Sequence, residues 1–255
     1  MKKVFVLLAM AAVCLWSCNP DDKGGNKRPG GGGDDSDYEA HITIDGDFAD
    51  WAKLDASKVA TATCTAGATK DALKLVKVYA DSDNIFVYTE FEVGELDPDE
   101  DLWIPFHFYM NADNSASTGG DSQQFNDKDA EWMFETSITS YDPGLFKWWG
   151  EVGADGWLWT MHDAGLQAEE HSADDDWGAV MGEGSGIGSS AGTIDLKTGK
   201  GAYEIQIQLA MMPGVTFADT FTIGFDIQVN WSTVGILPNA ADGALANKLV
   251  VTRVK

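Results

Sequence analysis

The chain has 255 residues, with 41 Asp and Glu against 17 Lys and Arg, a formal net charge of −24. So acidic a surface repels phosphates and gains nothing from counterion release, which excludes nucleic acid as a partner. The cysteines, Cys14, Cys18 and Cys64, are too few for a disulfide framework, and Cys64 reads as a small buried residue.

At the N-terminus, Lys2 and Lys3 precede an unbroken apolar run from Val4 to Trp16. A spanning helix needs about 20 apolar residues, so this shorter run reads as the core of a cleaved export signal. It closes on Leu15-Trp16-Ser17-Cys18, which resembles a bacterial lipoprotein signal. That resemblance implies a signal peptide over residues 1–17 and lipidation of Cys18, with acyl chains anchoring the protein to a membrane. Cleavage would leave 15 basic against 41 acidic residues, a net charge of −26. Residues 18–40 are acidic and glycine-rich, with no aliphatic side chain larger than alanine beyond the cysteine, and read as a flexible tether. The acidic tether resembles the surface-export signal of Bacteroidetes lipoproteins, which implies an outer-membrane, surface-exposed location.

From His41 to Lys255 the chain is long enough for one large core and reads as a single domain, 41–255. Strict alternation predicts strands over Ile85–Val93, Ile104–Met110, Trp132–Ile138, Tyr203–Leu209 and Phe221–Val229. Polar partners such as Glu204, Gln206, Gln208, Asp226, Gln228 and Asn230 suggest one wet or semi-polar face per sheet. Turn residues at Asp81–Asn84, Asp97–Asp99, Asp142–Gly144, Ala154–Gly156 and Thr198–Gly201 separate the runs. Only Ala164–Asp175 and Gly243–Asn247 could form a helical turn or two, and Gly182–Gly192 reads as coil. The expected fold is an all-β, antiparallel two-sheet sandwich of roughly ten strands.

Gly188-Ser-Ser-Ala-Gly192 matches a nucleophile-elbow pattern, but every histidine (His41, His107, His162, His171) precedes Ser190 and no helical pattern follows. Gly186, Gly188 and Ala191 match part of a dinucleotide fingerprint without a strand–helix–strand unit around them. Both patterns are loop coincidences. Carboxylate pairs of the kind a glycosidase uses arise freely among 41 acids, and Asp174-Asp175-Asp176-Trp177 reads as a solvated loop. No catalytic residue is singled out, and the chain reads as non-catalytic.

Asn111 to Gly119 places alternate oxygen-bearing side chains in a tight loop, followed by Asp127, Asp129 and Glu131. Such oxygens can converge on a hard cation, so calcium is expected at Asn111 and Asp113 with help from Asp127 or Asp129; an ordinary polar loop is the alternative. Ten tryptophans are the other anomaly, four of them in Phe146–Met161. Neighbouring strand residues face opposite sides, so one of Trp148 and Trp149 must leave the core, while Trp157 and Trp159 share a face. Trp148, Trp149, Trp157 and Trp159 are candidate platforms for stacking sugar rings, packing beneath a loop being the alternative.

Ile42-Thr-Ile44-Asp45-Gly46-Asp47-Phe48-Ala49-Asp50-Trp51, with Val78–Tyr88 after it, resembles the opening of family 9 carbohydrate-binding modules and the wider DOMON-like sandwiches. The resemblance implies that Trp51 is a structural residue tucked against the sandwich, and that the domain binds sugar termini, often with structural calcium. Other members of the group bind haem, for which Met110, Met133, Met161, His107 and His162 are the available ligands, although no attachment motif exists. The function that follows is glycan capture at the cell surface for an uptake system, with an outer-membrane uptake partner. A structural or adhesion protein without a small ligand is the rival, and a haem-binding domain or glycan-active enzyme comes third.

Overall fold

Inward-pointing aromatic and branched residues recur at every second position of the long strands, and they pack two antiparallel sheets face to face. The computed structural model describes residues 41–97, 103–120, 124–139, 144–161, 188–212 and 214–255. The signal peptide, Cys18, the tether, the Ala164–Asp175 helical turn and the Asp174–Asp176 cluster lie outside them.

The strands are β1 (Ala60–Thr63), β2 (Leu73–Ala80), β3 (Asn84–Glu92), β4 (Pro105–Asn111), β5 (Trp132–Ser137) and β6 (Gly144–Trp148). They continue with β7 (Trp159–Met161), β8 (Gly188–Asp195), β9 (Lys200–Gln208), β10 (Thr220–Val229), β11 (Ser232–Leu237) and β12 (Leu249–Thr252). One sheet has five strands in the order β1-β2-β3-β9-β8; the other has seven, β11-β10-β4-β5-β6-β7, with β12 also paired to β10. The all-β sandwich expected from the alternation is therefore present, with twelve strands described where about ten were counted.

Between the sheets, Phe106, Phe108 and Met110 of β4 meet Phe134 of β5, Phe225 of β10 and Ile205 of β9, all fully buried. Each such side chain contributes about 1.5–3 kcal/mol relative to exposure, which makes this layer the main source of stability.

A second apolar layer covers the outer face of the five-stranded sheet, where Tyr79, Phe86 and Tyr88 meet Trp51. Glu204 of β9 is fully buried there and explains the N-terminal motif. Its Oε1 accepts from the backbone N–H groups of Asp45 and Gly46 at 3.0 and 2.9 Å, and its Oε2 accepts from Trp51 Nε1 at 3.0 Å. Gly46 has φ +81°, so the turn that brings those two N–H groups onto one oxygen uses glycine's conformational freedom. Trp51 is structural, as the resemblance implied.

Four expectations need correction. Glu204 and Asp226 are not on wet faces, since both are fully buried with their oxygens bonded. Residues 188–192, read as coil, form the start of β8, because backbone pairing with β9 is indifferent to missing side chains and the ladder runs from Gly188–Ile207 to Asp195–Lys200. Ser190 thus lies on a strand, without the tight turn a nucleophile elbow needs. Cys64 is half-buried rather than buried, and its thiol faces the Asn239 amide at 3.5 Å. The predicted turn at Gly243–Asn247 is a single 3-10 turn at Ala241–Gly243.

Candidate ligand-binding face

The outer face of the seven-stranded sheet carries the groups with unusual chemistry. On β4, His107 and Tyr109 point outward while their neighbours fill the core. Antiparallel register sets His107 directly opposite Asp226 of β10 on one side and Glu135 of β5 on the other. His107 Nδ1 lies 2.5 Å from Asp226 Oδ1, and Nε2 lies 2.6 Å from Glu135 Oε2. Facing an acceptor at each nitrogen, the ring is held as an imidazolium that donates from both. Burial works against that charge, but Asp226 and then Glu135 outweigh it and push the His107 pKa up to about 10.

Asp226 is the hub. Its Oδ2 also accepts from Thr233 Oγ1 at 3.2 Å, Tyr109 Oη at 3.4 Å and Gln228 Nε2 at 3.4 Å. Burial and the neighbouring carboxylates push the Tyr109 hydroxyl well above its ordinary range, so it stays a donor. The chain of bonds continues outward, with Gln124 Nε2 donating to Thr233 at 3.1 Å and Lys70 Nζ donating to Gln124 Oε1 at 3.0 Å. At the other end stands Glu135, whose side chain is 21% exposed while those of His107 and Asp226 are closed off. One carboxylate at the edge of this network is held in place from behind and open in front.

Aromatic side chains lie on the same face. β6 and β7 form a hairpin whose loop holds Trp157, 41% exposed, with its ring edge-on to His107 at 6.0 Å. Trp148 and Trp149 point opposite ways as expected, at 7% and 47% exposure. Trp157 and Trp159 do not behave alike: Trp159 is 4% exposed and packs on Trp148 and Tyr109. Parity fails because β7 begins only at Trp159, while Trp157 follows Gly156, whose φ of +121° turns the chain. Buried Trp159 Nε1 has no acceptor among the described residues.

One exposed tryptophan escaped the sequence reading. The β10–β11 hairpin turns through Asn230 and Trp231, with φ of +49° and +61°, and Val229 pairs with Ser232 around them. Two positive φ values define the type I′ turn that usually takes Asn-Gly. A bulky residue there is strained by about 1–3 kcal/mol, and such strain clusters at functional sites. Trp231 is also 73% exposed, the most exposed large apolar side chain described. The Asn-Trp pair between two alternating runs was the available signal.

The four residues expected to hold calcium are not brought together. Asp127 and Asp129 converge on Lys248, whose buried ammonium lies 3.0 Å from Asp127 Oδ2, 3.1 Å from Asp127 O and 2.5 Å from Asp129 Oδ1. A lysine 119 to 121 positions away supplies their cation, which no local spacing could reveal. Asn111 and Asp113 instead share their loop with Glu131. Asn111 Oδ1 and Asp113 Oδ1 both accept from Ser115 N, and Glu131 Oε1 accepts from the N–H groups of Ala112 and Asp113 at 2.7 and 3.0 Å. Glu131 Oε2 is buried without a partner among the described residues, and burial, with Asp113 alongside, pushes the carboxyl up to about 7. No group of three or more acidic, histidine or cysteine side chains suited to a metal occurs among the described residues.

The haem alternative loses its buried histidine, since both His107 nitrogens are spent on carboxylates; His162 lies outside the described residues.

No family model and no curated protein matches the chain in sequence. Among solved structures, it is similar to a carbohydrate binding module family 9 from Caldicellulosiruptor kristjanssonii in complex with cellotriose, at 9% identity and a TM-score of 0.40, over 84% of this chain and 89% of that one. A module of the same family and organism in complex with glucose gives 9% identity and a TM-score of 0.34, over 82% and 80%. The class defined by the strands themselves is the antiparallel two-sheet β-sandwich.

Proposed function

We propose that this chain is a non-catalytic, lipid-anchored surface protein that captures glycan on the outer face of its seven-stranded sheet for an uptake partner in the outer membrane. The observation that carries the reading is the exposed Trp157 indole set against the His107–Glu135 pair. An indole supplies a flat apolar surface for a sugar ring, and an ordered carboxylate accepts from its hydroxyls. Trp231, on the hairpin that carries Asp226 and Gln228, adds a second exposed ring. An imidazolium donating from both nitrogens has no lone pair with which to act as a general base, so His107 serves here to hold Glu135 in place. A glycan array probed with the full chain and with Trp157→Ala tests this: the reading requires bound glycans that the variant loses while its melting curve is unchanged. Retained binding would place the site elsewhere, and an empty array would favour an adhesion protein.

The anchor rests on Leu15 to Cys18 and the acidic tether. Cys18→Ala should abolish palmitate labelling and release the protein from the membrane fraction; a variant still labelled and membrane-bound would remove the anchor from the proposal.

Calcium belongs to the proposal with a corrected ligand set: Asn111 and Asp113 with Glu131 in place of Asp127 and Asp129. The orphaned Glu131 oxygen beside Asp113 is where a hard cation would be held, and its contribution would be structural.

A further inference from the structure

The charge balance around His107 leaves one carboxylate over. His107 carries one positive charge between the negative charges of Asp226 and Glu135, and the surplus falls on Glu135, the member open to solvent. His107 is the only cationic partner that Glu135 has among the described residues.

Nearby cations are committed elsewhere. Lys248 holds Asp127 and Asp129, Lys128 is paired with Asp155, and Lys147 lies over Trp132, whose ring belongs to the core between the sheets. Lys70 ends the hydrogen-bond chain at Gln124, on the far side of Thr233 and Asp226 from Glu135. Arg253 is spent on the carbonyls of Asp81, Ser82 and Phe217. Outside the described residues, 98–102, 121–123, 140–143 and 162–187 contain no lysine or arginine, and those of the N-terminal stretch are Lys2, Lys3, Lys23, Lys27 and Arg28. Among the described residues, a uronate or sulfated sugar at Trp157 would therefore meet a carboxylate with no uncommitted lysine or arginine beside it.

We propose that this face selects saccharides bearing a protonated amine, 2-amino-2-deoxy sugars, by placing the ammonium between the solvent-open carboxylate of Glu135 and the face of Trp157. This rests on the carbohydrate reading above and specifies its ligand. An ammonium there completes the neutralisation of the cluster, makes a charge-assisted hydrogen bond, and is attracted to the indole quadrupole. Trp159 Nε1, packed against Tyr109 on the same face, has no acceptor among the described residues.

The test is calorimetric titration of the full chain at pH 6 with three hexasaccharides: chitosan hexamer, its fully N-acetylated counterpart and oligogalacturonate. The expected order is chitosan hexamer about tenfold or more tighter than the acetylated sugar, with no measurable galacturonate binding. Because a chain of net charge −24 attracts any polycation, Glu135→Gln is compared with Glu95→Gln, an exposed acid outside the cluster. The preference should vanish in the first and persist in the second. Equal or tighter binding of the acetylated or acidic sugar, or a preference that survives Glu135→Gln, overturns amine selection and leaves the carbohydrate reading standing. Failure of all three sugars and of the whole array overturns both.

Discussion

His107 Nδ1 stands 2.5 Å from Asp226 Oδ1 in the middle of a sheet, both side chains closed to solvent, and the opposite imidazole nitrogen holds Glu135. Removing one member of a buried ion pair costs about 3–5 kcal/mol, because the other is left charged and unpaired. Asp226→Asn and His107→Gln should each lose about that much in urea unfolding. The double variant should lose clearly less than the sum; strict additivity would show that the pair is not coupled.

His107 also makes stability depend on pH. Its pKa is raised from 6.5 to about 10 in the folded protein by Asp226 and Glu135 against the penalty of burial. The folded state thus holds a proton that the unfolded state releases first. This contribution is whole below about pH 6.5 and is lost as pH rises towards 10. Melting temperature should fall across that window, and in His107→Gln the slope should flatten. An equal slope in both proteins would assign the effect to other groups.

The four tryptophans of the β6–β7 hairpin should divide two and two. Trp148→Ala and Trp159→Ala empty packed positions and should each cost about 3–5 kcal/mol. Trp149→Ala and Trp157→Ala remove exposed rings and should stay within about 0.5 kcal/mol of the parent. Denaturant midpoints measure this directly, and a large loss at Trp157 would make it a packing residue instead.

Lys248 and the 111–118 loop separate two cations. Lys248→Met leaves Asp127 and Asp129 without their ammonium and should cost about 3–5 kcal/mol, whereas Lys53→Met, at an exposed pair, should cost under about 1. Chelation should lower the melting temperature of the parent, since calcium at a hundred times its dissociation constant adds about 2.7 kcal/mol. Asp113→Ala and Glu131→Gln should abolish that response, and Asp129→Asn should keep it. Identical parent curves with and without chelator would leave the loop an ordinary turn.

Alternating hydrophobicity was enough to determine β3, β4, β5, β9 and β10 and the sandwich class, because a strand buried on one side must repeat every second residue wherever it lies in the fold. The same rule separated Trp148, the last residue of β6, from Trp149 just beyond it. It failed at Trp157, where a glycine turn broke the strand, and at residues 188–192, where pairing rather than side chains made β8. What tertiary structure alone decided was partnership. Glu204 with Trp51, Lys248 with Asp127 and Asp129, and His107 with Asp226 and Glu135 join residues 28 to 153 positions apart. A mid-strand acid looks solvated in sequence and is buried only because strand register places a donor opposite it, and register is a property of the assembled sheet.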